Sequence, residues 1–166
     1  MSAAVTNDEL RAIEQFLYQE ASFLDRSDLD GWIALYTDDG TYWMPVTPDQ
    51  EDPINHISLF YDDRTIMEIR RRNINHPRAA SKELPIRCSH IIGNVQVLDN
   101  TTEKAQGELT VTSNFQCVIY AADEQTLFAG TYTHVLVRTE SGFKIRSKRV
   151  DLINCDAALG AILIYI

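Results

Sequence analysis

Apolar side chains recur every three or four residues near the start of the chain, which is the spacing of an amphipathic helix. They are Leu10, Ile13, Leu17, Ala21 and Leu24. The segment from Thr6 to Glu9 has the S/T-x-x-E form of a capping box, so we predict that the helix begins there. Asp28 can cap a second, short helix that carries Trp32 and Leu35 towards the core.

The next part of the chain mixes turn signals with one apolar run. The Asp-Asp-Gly sequence at 38–40 predicts a turn into a strand at 41–46, and Pro45 suits a strand end. Prolines and acids predict a loop at 47–56. Asp62 and Asp63 then open a charged helix that runs to about Arg72, and 73–84 is expected to be irregular.

From residue 87 onwards the apolar positions alternate with polar ones, which is typical of half-buried strands. In one strand the inward residues are Leu109, Val111, Phe115, Cys117 and Ile119. Similar runs occupy 87–98, 127–139 and 143–153, and turn residues separate them at 99–100, 122–124 and 141–142. Four successive strands predict an antiparallel meander. The apolar phase of the last run slips by one residue, which predicts a β-bulge near 147–149.

These elements predict an α+β fold in which a strongly curved antiparallel sheet wraps around N-terminal helices. With 166 residues and 45% hydrophobic content, the chain has the size of one domain, 1–166. No run approaches the ~18 apolar residues of a membrane span. The first ten residues have neither the basic nor the apolar region of a signal peptide, so a cytoplasmic location is expected.

Charge is distributed unevenly along the chain, which has a formal net charge of −9. Residues 1–63 hold fourteen acids and two bases, whereas residues 64–166 hold ten acids and thirteen bases. The net acidity argues against nucleic-acid binding. The basic run Arg70, Arg71 and Arg72 is interpreted either as a solvated helix face or as a contact with a complementary partner chain.

Residues that could carry chemistry are few and scattered. Cys88, Cys117 and Cys155 are odd in number and far apart in sequence, so they indicate buried thiols rather than a disulfide framework or a metal knuckle. The histidines are His56, His76, His90 and His134, and none has a sequence neighbour at metal-ligand spacing. We expect no metal ligands on this chain. Glycine-rich phosphate loops and a G-x-S-x-G elbow are absent from the sequence.

Four stretches together resemble one known family, the small, or beta, subunit of bacterial aromatic-ring-hydroxylating dioxygenases. They are LDRSDLDGWIALYTDDGTYWMPV, ISLFYDDRTIMEIRRR, RCSHIIGNV and KIRSKRVDLINCDA. The resemblance runs from about Leu10 to the end of the sequence, and the length is closer to the benzoate type than to the naphthalene type. It implies the cone-shaped fold of nuclear transport factor 2, scytalone dehydratase and ketosteroid isomerase, also called SnoaL-like or cystatin-like.

The resemblance also implies an assembly and a division of labour. Three small subunits form a core that supports three large (alpha) subunits, and the large subunit carries a Rieske 2Fe–2S cluster and a mononuclear iron. This chain is then expected to have no cofactor and no catalytic residue of its own. It would be a structural subunit of an oxygenase for aromatic compound catabolism that receives electrons indirectly from a ferredoxin or reductase. Hypothesised contact residues are Tyr42, Trp43, Arg70, Arg71, Arg72 and Arg87.

Two alternatives stay open at this point, because a fold does not determine a function. In the first, the chain is a stand-alone dehydratase or isomerase with His90 as general base. Asp30 or Asp39, or else Asp28, would orient the imidazole. Tyr36 or Tyr42 would donate a hydrogen bond to a developing oxyanion. In the second alternative, the chain is a binding module without an enzyme partner.

Overall fold

Two helices occupy the N-terminal part of the chain. The computed structural model describes residues 5–74, 85–98 and 107–166. Helix α1 spans Asn7–Asp25, and the side chain of Thr6 accepts a hydrogen bond from the backbone N–H of Glu9, as the sequence predicts. Helix α2 spans Leu29–Ala34, and the Asp28 carboxylate caps its first turn. Both predicted helix starts are therefore confirmed.

Each helix buries the face that its apolar spacing predicts. Ile13 and Leu17 of α1 are buried, and so is Trp32 of α2. Glu20 is the exception, because it lies on the buried face of α1 and is only 2% exposed. A carboxylate in this position requires partners from elsewhere in the fold.

Six strands form one mixed sheet. They are β1 (Tyr36–Pro45), β2 (Ser58–Asp63), β3 (Arg87–Leu98), β4 (Glu108–Ala121), β5 (Glu124–Thr139) and β6 (Gly142–Leu152). Their spatial order is β2-β1-β6-β5-β4-β3, so the predicted meander of the last four strands is confirmed. β1 runs antiparallel to β2 and parallel to β6. Since β2 and β3 stand at opposite ends of this order, the strands of the described residues do not close into a barrel.

The structure corrects two expectations in the first half of the chain. β1 begins at Tyr36 rather than at residue 41, and the acidic stretch before Gly40 lies inside the strand at a register break instead of in a turn. β2 was not predicted, because its six residues end in two acids. The charged helix α3 (Arg64–Ile74) begins one or two residues later than expected, with Asp63 accepting a backbone N–H of its first turn.

The bulge and the turn in the later strands lie close to the positions that the sequence predicts. A register shift places an extra residue, Arg146, between Ile145 and Ser147, which is a bulge one residue before the predicted range. Ala122 and Asp123 both adopt positive φ in the tight turn between β4 and β5. Residues 47–56 contain no helix or strand, as predicted. The expected irregular segment after Ile74 and the turn at 99–100 lie outside the described residues.

The core lies between the helices and the concave face of the sheet. Alternate residues of the strands point inwards, including Phe115 and Cys117 of β4, Leu136 of β5 and Val150 of β6. They belong to one buried cluster with Ile13 and Leu17 of α1, and α1 contacts β3 and β6, so the sheet wraps around the helix. This arrangement confirms the predicted α+β class with a strongly curved sheet. Within the described ranges, no helix has the length and apolar composition that crossing a membrane requires.

Candidate functional site

A charged cluster lies in the interior of the curved sheet. The Lys148 ammonium donates to one Glu20 carboxylate oxygen at 2.7 Å, and the imidazole Nε2 of His134 lies 2.8 Å from the other. The indole N–H of Trp32 donates to the same carboxylate at 3.1 Å. All four side chains are buried. The cluster therefore ties α1 and α2 to β5 and β6 through one carboxylate.

The protonation of this cluster is set by burial and by its own charges. Burial on its own would raise the pKa of Glu20, but the charges and hydrogen bonds of Lys148 and His134 hold it well below its ordinary value. Burial lowers the pKa of Lys148, and Glu20 opposes that shift. Glu20 and Lys148 thus form a buried ion pair, and no reactive group of the cluster is exposed.

Aromatic rings fill the space around this cluster. Trp32, Tyr36, Tyr42 and Tyr132 are all at most 2% exposed, and Phe115 stacks on Tyr132 with the ring centroids 4.0 Å apart. Tyr36 and Tyr42 were the predicted oxyanion donors of the stand-alone enzyme. The structure places both in this packed core, where the Tyr42 hydroxyl donates to the carbonyl of Ile166 at 3.2 Å.

His90 has a carboxylate partner, but not one that the sequence suggested. Its Nδ1 lies 2.6 Å from Oδ1 of Asp25, the last residue of α1, and its backbone N–H donates to the other oxygen of that carboxylate at 3.1 Å. The His90 side chain has no exposed surface. Its Nε2 is buried, with no hydrogen-bond partner in the described part of the chain. In this structure the ring cannot touch a substrate.

The expected orienting carboxylates lie elsewhere. Asp28 caps α2, Asp30 pairs with Arg71 at 2.9 Å, and Asp39 pairs with Arg146 at 2.8 Å. None of the three reaches His90. The prediction that one of them orients this imidazole is therefore wrong.

Two of the three cysteines lie beside His90. Cys117 is the β-ladder partner of His90, with its Sγ 3.9 Å from Nδ1, and the Cys88 Sγ lies 3.6 Å from Oδ1 of Asp25. A hydrogen bond from Cys117 lowers the pKa of the Cys88 thiol from 9.0 to about 6, against the opposing effect of burial. The same contact raises the pKa of Cys117. His90 thus has possible metal ligands nearby in the fold, although no histidine has a sequence neighbour at metal-ligand spacing.

The two aromatic residues predicted at an interface point in opposite directions from β1. Tyr42 faces the core and is 0% exposed, which corrects its expected contact role. Trp43 faces outwards and stays partly exposed. Its indole N–H donates to Ser58 Oγ at 2.9 Å, and the Arg149 guanidinium lies over its ring, 4.4 Å from the centroid. Trp43 is therefore a fixed, outward-facing aromatic residue.

The predicted basic contact residues differ in their exposure and in their partners. Arg70 binds the buried carboxylate of Asp62, which also accepts a hydrogen bond from Tyr165 at 2.7 Å. Arg71 pairs with Asp30 of α2. Arg72 is exposed, and the Arg87 guanidinium lies 4.8 Å from the ring centroid of Tyr120.

An apolar groove lies outside the cone, between the ends of β4 and β5 and the C-terminal segment. It has a volume of about 360 Å³, and Ile119, Leu127 and Leu159 are among its lining residues. Leu127 and Leu163 in its walls are more than half exposed. Apolar surface in this part of the protein is thus open, whereas the cone interior is packed.

A cone-shaped α+β protein with buried aromatic rings in its core is the class that these observations define. The family model described as ring hydroxylating beta subunit matches residues 19–157, which places the chain in that family. The anthranilate 1,2-dioxygenase small subunit of Acinetobacter baylyi is 34% identical over 148 residues, covering 86% of this chain and 89% of that protein. The chain is thus an oxygenase component, and it belongs to the oxidoreductases.

Solved structures agree with this assignment. The beta subunit of benzoate 1,2-dioxygenase from Burkholderia mallei superposes with a TM-score of 0.71 at 28% identity, covering 92% of this chain and 95% of that one. A chain of naphthalene 1,2-dioxygenase gives a TM-score of 0.80 at 14% identity, covering 99% of this chain and 89% of that one. At that identity the second likeness concerns the fold alone.

Some of the site residues that were not predicted nevertheless have a signal in the sequence. Cys88 and His90 are two residues apart on a strand, and this spacing places both on the same face. Glu20 follows Ile13 and Leu17 on the helical stripe that faces the core. No local signal could identify Asp25 as the partner of His90, because that contact depends on how α1 packs against β3.

Proposed function

We propose that this chain, as one domain over residues 1–166, is a non-catalytic structural subunit of a multicomponent aromatic-ring-hydroxylating dioxygenase. It associates as a trimer and holds three large (alpha) subunits in a hexamer. The Rieske 2Fe–2S cluster and the mononuclear iron belong to the large subunit, which receives electrons from a ferredoxin or reductase. The family assignment supports this role.

The packed interior is the observation that carries the proposal. In cone-shaped enzymes a substrate must enter the cone, whereas in the described part of this chain the buried rings of Trp32, Tyr36 and Tyr132 occupy the interior and the Glu20 carboxylate is paired. Apolar groups are exposed on the outside instead, including Ile91 and Leu127 on the strands and Ile153 beyond β6. Exposed apolar surface is typical of contacts between protein chains.

The side chains available on this subunit do not fit either iron centre. A Rieske cluster takes two cysteines and two histidines, and a mononuclear iron of this type takes two histidines and a carboxylate. The group of possible metal ligands found in the described residues is Asp25, Cys88 and His90, with a single histidine. Oxygen chemistry on another polypeptide is consistent with this donor set.

Trp43 is the contact residue that we propose first, together with the exposed side chains of Arg72 and Arg87. The hydrogen bond to Ser58 and the stacked Arg149 already fix the ring of Trp43 before any partner binds. A fixed aromatic side chain loses little conformational entropy on association, and tryptophan and arginine contribute strongly to interface energy. The exposed parts of the Arg70 and Arg71 side chains would extend this contact surface.

Light scattering tests the assembly directly. We expect the purified chain to have the mass of a trimer, and co-expression with its large subunit to give an iron-containing hexamer. A monomer that does not bind the large subunit would contradict the proposal. Trp43→Ala should weaken the assembly while circular dichroism shows a folded subunit. Tyr18→Ala, which removes an exposed aromatic ring from α1, is the matched control and should leave the mass unchanged.

The contact between Asp25 and His90 is the observation that favours a stand-alone dehydratase or isomerase. An imidazole held by a carboxylate at 2.6 Å can act as a general base when a substrate reaches it. That function predicts turnover of an enol- or hydroxyl-bearing substrate by the purified chain without metal. For a structural subunit, His90→Gln should lower oxygenase activity only in proportion to lost assembly. Loss of turnover in a fully assembled hexamer would favour the enzyme.

A further inference from the structure

Four side chains of the kind that bind metal ions converge where the end of α1 meets the edge of the sheet. Asp25 comes from α1, Cys88 and His90 come from the inward face of β3, and Cys117 comes from the neighbouring strand β4. Cys88 and His90 share a face because side chains alternate along a strand. Antiparallel pairing then sets Cys117 directly opposite His90. Three elements thus place two thiols, one imidazole and one carboxylate together.

The distances between the donor atoms are close to those of a tetrahedral zinc site. With ordinary zinc–ligand bond lengths, a sulfur and an oxygen ligand lie about 3.6 Å apart, and a sulfur and a nitrogen ligand also about 3.6 Å apart. The Cys88 Sγ is 3.6 Å from Asp25 Oδ1, and the Cys117 Sγ is 3.9 Å from His90 Nδ1. The possible ligand atoms of Asp25, Cys88 and His90 all lie within 4.8 Å of one another.

Two adjustments are needed for a metal ion to bind. Cys117 lies outside the group of ligand atoms that are within 4.8 Å of one another, so its side chain has to move towards them. The second adjustment concerns His90 and Asp25. His90 Nδ1 and Asp25 Oδ1 are 2.6 Å apart and share a proton, whereas nitrogen and oxygen ligands of one zinc ion lie about 3.4 Å apart. An ion that replaces this proton therefore has to move the two atoms apart by less than 1 Å. The Asp25 side chain is 29% exposed and lies on the solvent side of the cluster, so it provides both the adjustment and the route of entry.

We propose that Asp25, Cys88, His90 and Cys117 form a structural site for a zinc-type divalent ion. Two thiolates, the Nδ1 atom of the imidazole and one carboxylate oxygen are its four ligands. Binding releases the two thiol protons to solvent, because a thiol binds zinc as a thiolate. The proton between His90 Nδ1 and Asp25 moves to Nε2, because the ligating imidazole is neutral and keeps one N–H. A site closed by four protein ligands leaves no position for a substrate and therefore serves stability. The ion would fasten the end of α1 to β3 and β4.

Cobalt(II) is a suitable probe, because its absorption reports both the geometry and the presence of thiolate ligands. The full chain is reduced, freed of metal with a chelator and titrated with Co²⁺. We expect one Co²⁺ per chain, with intense visible bands of tetrahedral cobalt and a near-ultraviolet thiolate-to-cobalt band. Added Zn²⁺ should abolish both and raise the midpoint of thermal unfolding. A titration without a thiolate band, or with only octahedral cobalt, would overturn the proposal.

Substitutions test the individual ligands. Cys88→Ser and Cys117→Ser should each weaken the thiolate band and reduce zinc affinity by about 100-fold or more, since even indirect partners of a ligand contribute 10- to 100-fold. Cys155→Ser is the matched control, because Cys155 is also a buried free cysteine but lies beyond β6, outside the cluster. Equal loss of the band in Cys155→Ser, or an unchanged band in both ligand variants, would overturn the proposal.

A further variant keeps the test valid if a cysteine variant does not fold. Asp25→Asn preserves the shape of the side chain and removes its charge, so the folded protein should keep the thiolate band but bind zinc more weakly. Wild-type affinity in this variant would remove Asp25 from the ligand set and overturn the four-ligand site. Light scattering of the metal-free chain reports assembly separately, so a failure of the zinc site and a failure of the structural role are distinguishable.

Discussion

Glu20 and Lys148 meet at 2.7 Å in the centre of the protein, although 128 residues separate them in sequence. The carboxylate stands on the inward face of α1 and the ammonium on the inward face of β6, and each side chain is at most 2% exposed. The ammonium also lies 4.1 Å from the centroid of the Tyr132 ring. This contact fixes the position of the helix within the sheet, and the stability of the subunit depends on it.

Removal of the lysine charge should destabilise the subunit strongly. Lys148→Met keeps most of the side-chain volume but leaves the Glu20 charge with His134 and Trp32 as its remaining partners. Loss of one member of a buried ion pair costs about 3–5 kcal/mol. Urea unfolding followed by circular dichroism measures this loss. Arg138→Met, which breaks the surface pair with Glu9, is the control and should cost about 0–1 kcal/mol. Equal effects of the two variants would contradict the expected role of the buried pair.

Acid should weaken the fold through Glu20. Because the folded-state pKa of Glu20 lies below its ordinary value of 4.5, the unfolded chain binds this proton more readily than the folded protein. The contribution of Glu20 to the free energy of unfolding is therefore complete above about pH 4.5 and is lost as the pH falls further. Urea titrations at a series of pH values measure this decline. Glu20→Gln should make the decline shallower, whereas Glu51→Gln at an exposed position should follow the wild type.

Gly130 should not tolerate a side chain. A Cβ atom at this position would come within 1.9 Å of the backbone carbonyl oxygen of Asp151 on the neighbouring strand, and backbone atoms cannot move aside. Gly130→Ala should cost about 1–3 kcal/mol or more, as expected for overpacking. Gly93→Ala is the matched control, because nothing lies within 4 Å of its Cβ position. That variant should be neutral or slightly stabilising, since alanine restricts the unfolded chain. Thermal unfolding of the two variants is sufficient to compare them.

Two buried tyrosine hydroxyls should differ in their contribution to stability. The Tyr42 hydroxyl donates to the Ile166 carbonyl at 3.2 Å and accepts from the backbone N–H of the same residue at 3.3 Å. Tyr42→Phe leaves both backbone groups unpaired and should cost about 1–3 kcal/mol. The Tyr132 hydroxyl has no partner within the described ranges, so Tyr132→Phe should be neutral or stabilising. Denaturant unfolding of both variants checks the contrast, and a larger loss in Tyr132→Phe would contradict it.

Much of the fold was predictable from the spacing of apolar residues. The first helix and the four-stranded meander follow from local periodicity, which depends only on neighbouring residues. β2 was missed because six residues with two terminal acids form a strand only through pairing with β1. The parallel pairing of β1 with β6 has no local signal at all. Long-range pairing is the part of a fold that a sequence pattern does not specify.

The candidate sites were less predictable than the fold. His90 lies in the predicted strand 87–98, but its partner Asp25 was not predicted, since a helix position and a strand position meet only after packing. Lys148 lies in phase with Val150 and Leu152 after the bulge, which is a signal for burial that its charge obscured. Tyr42 and Trp43 are adjacent, and the alternation of a strand requires that only one of them face outwards.

The parallel contact between β1 and β6 also determines when the subunit can complete its fold. Tyr36 on β1 pairs with Ile145 on β6, and the backbone N–H of Ile145 donates to the carbonyl of Leu35 at 2.8 Å. During synthesis, β1 therefore cannot pair with β6 until β6 itself has been made. Closing so long a loop is entropically costly and slow. The unpaired edge of β1 is thus the segment that most needs protection from aggregation while the chain is being made.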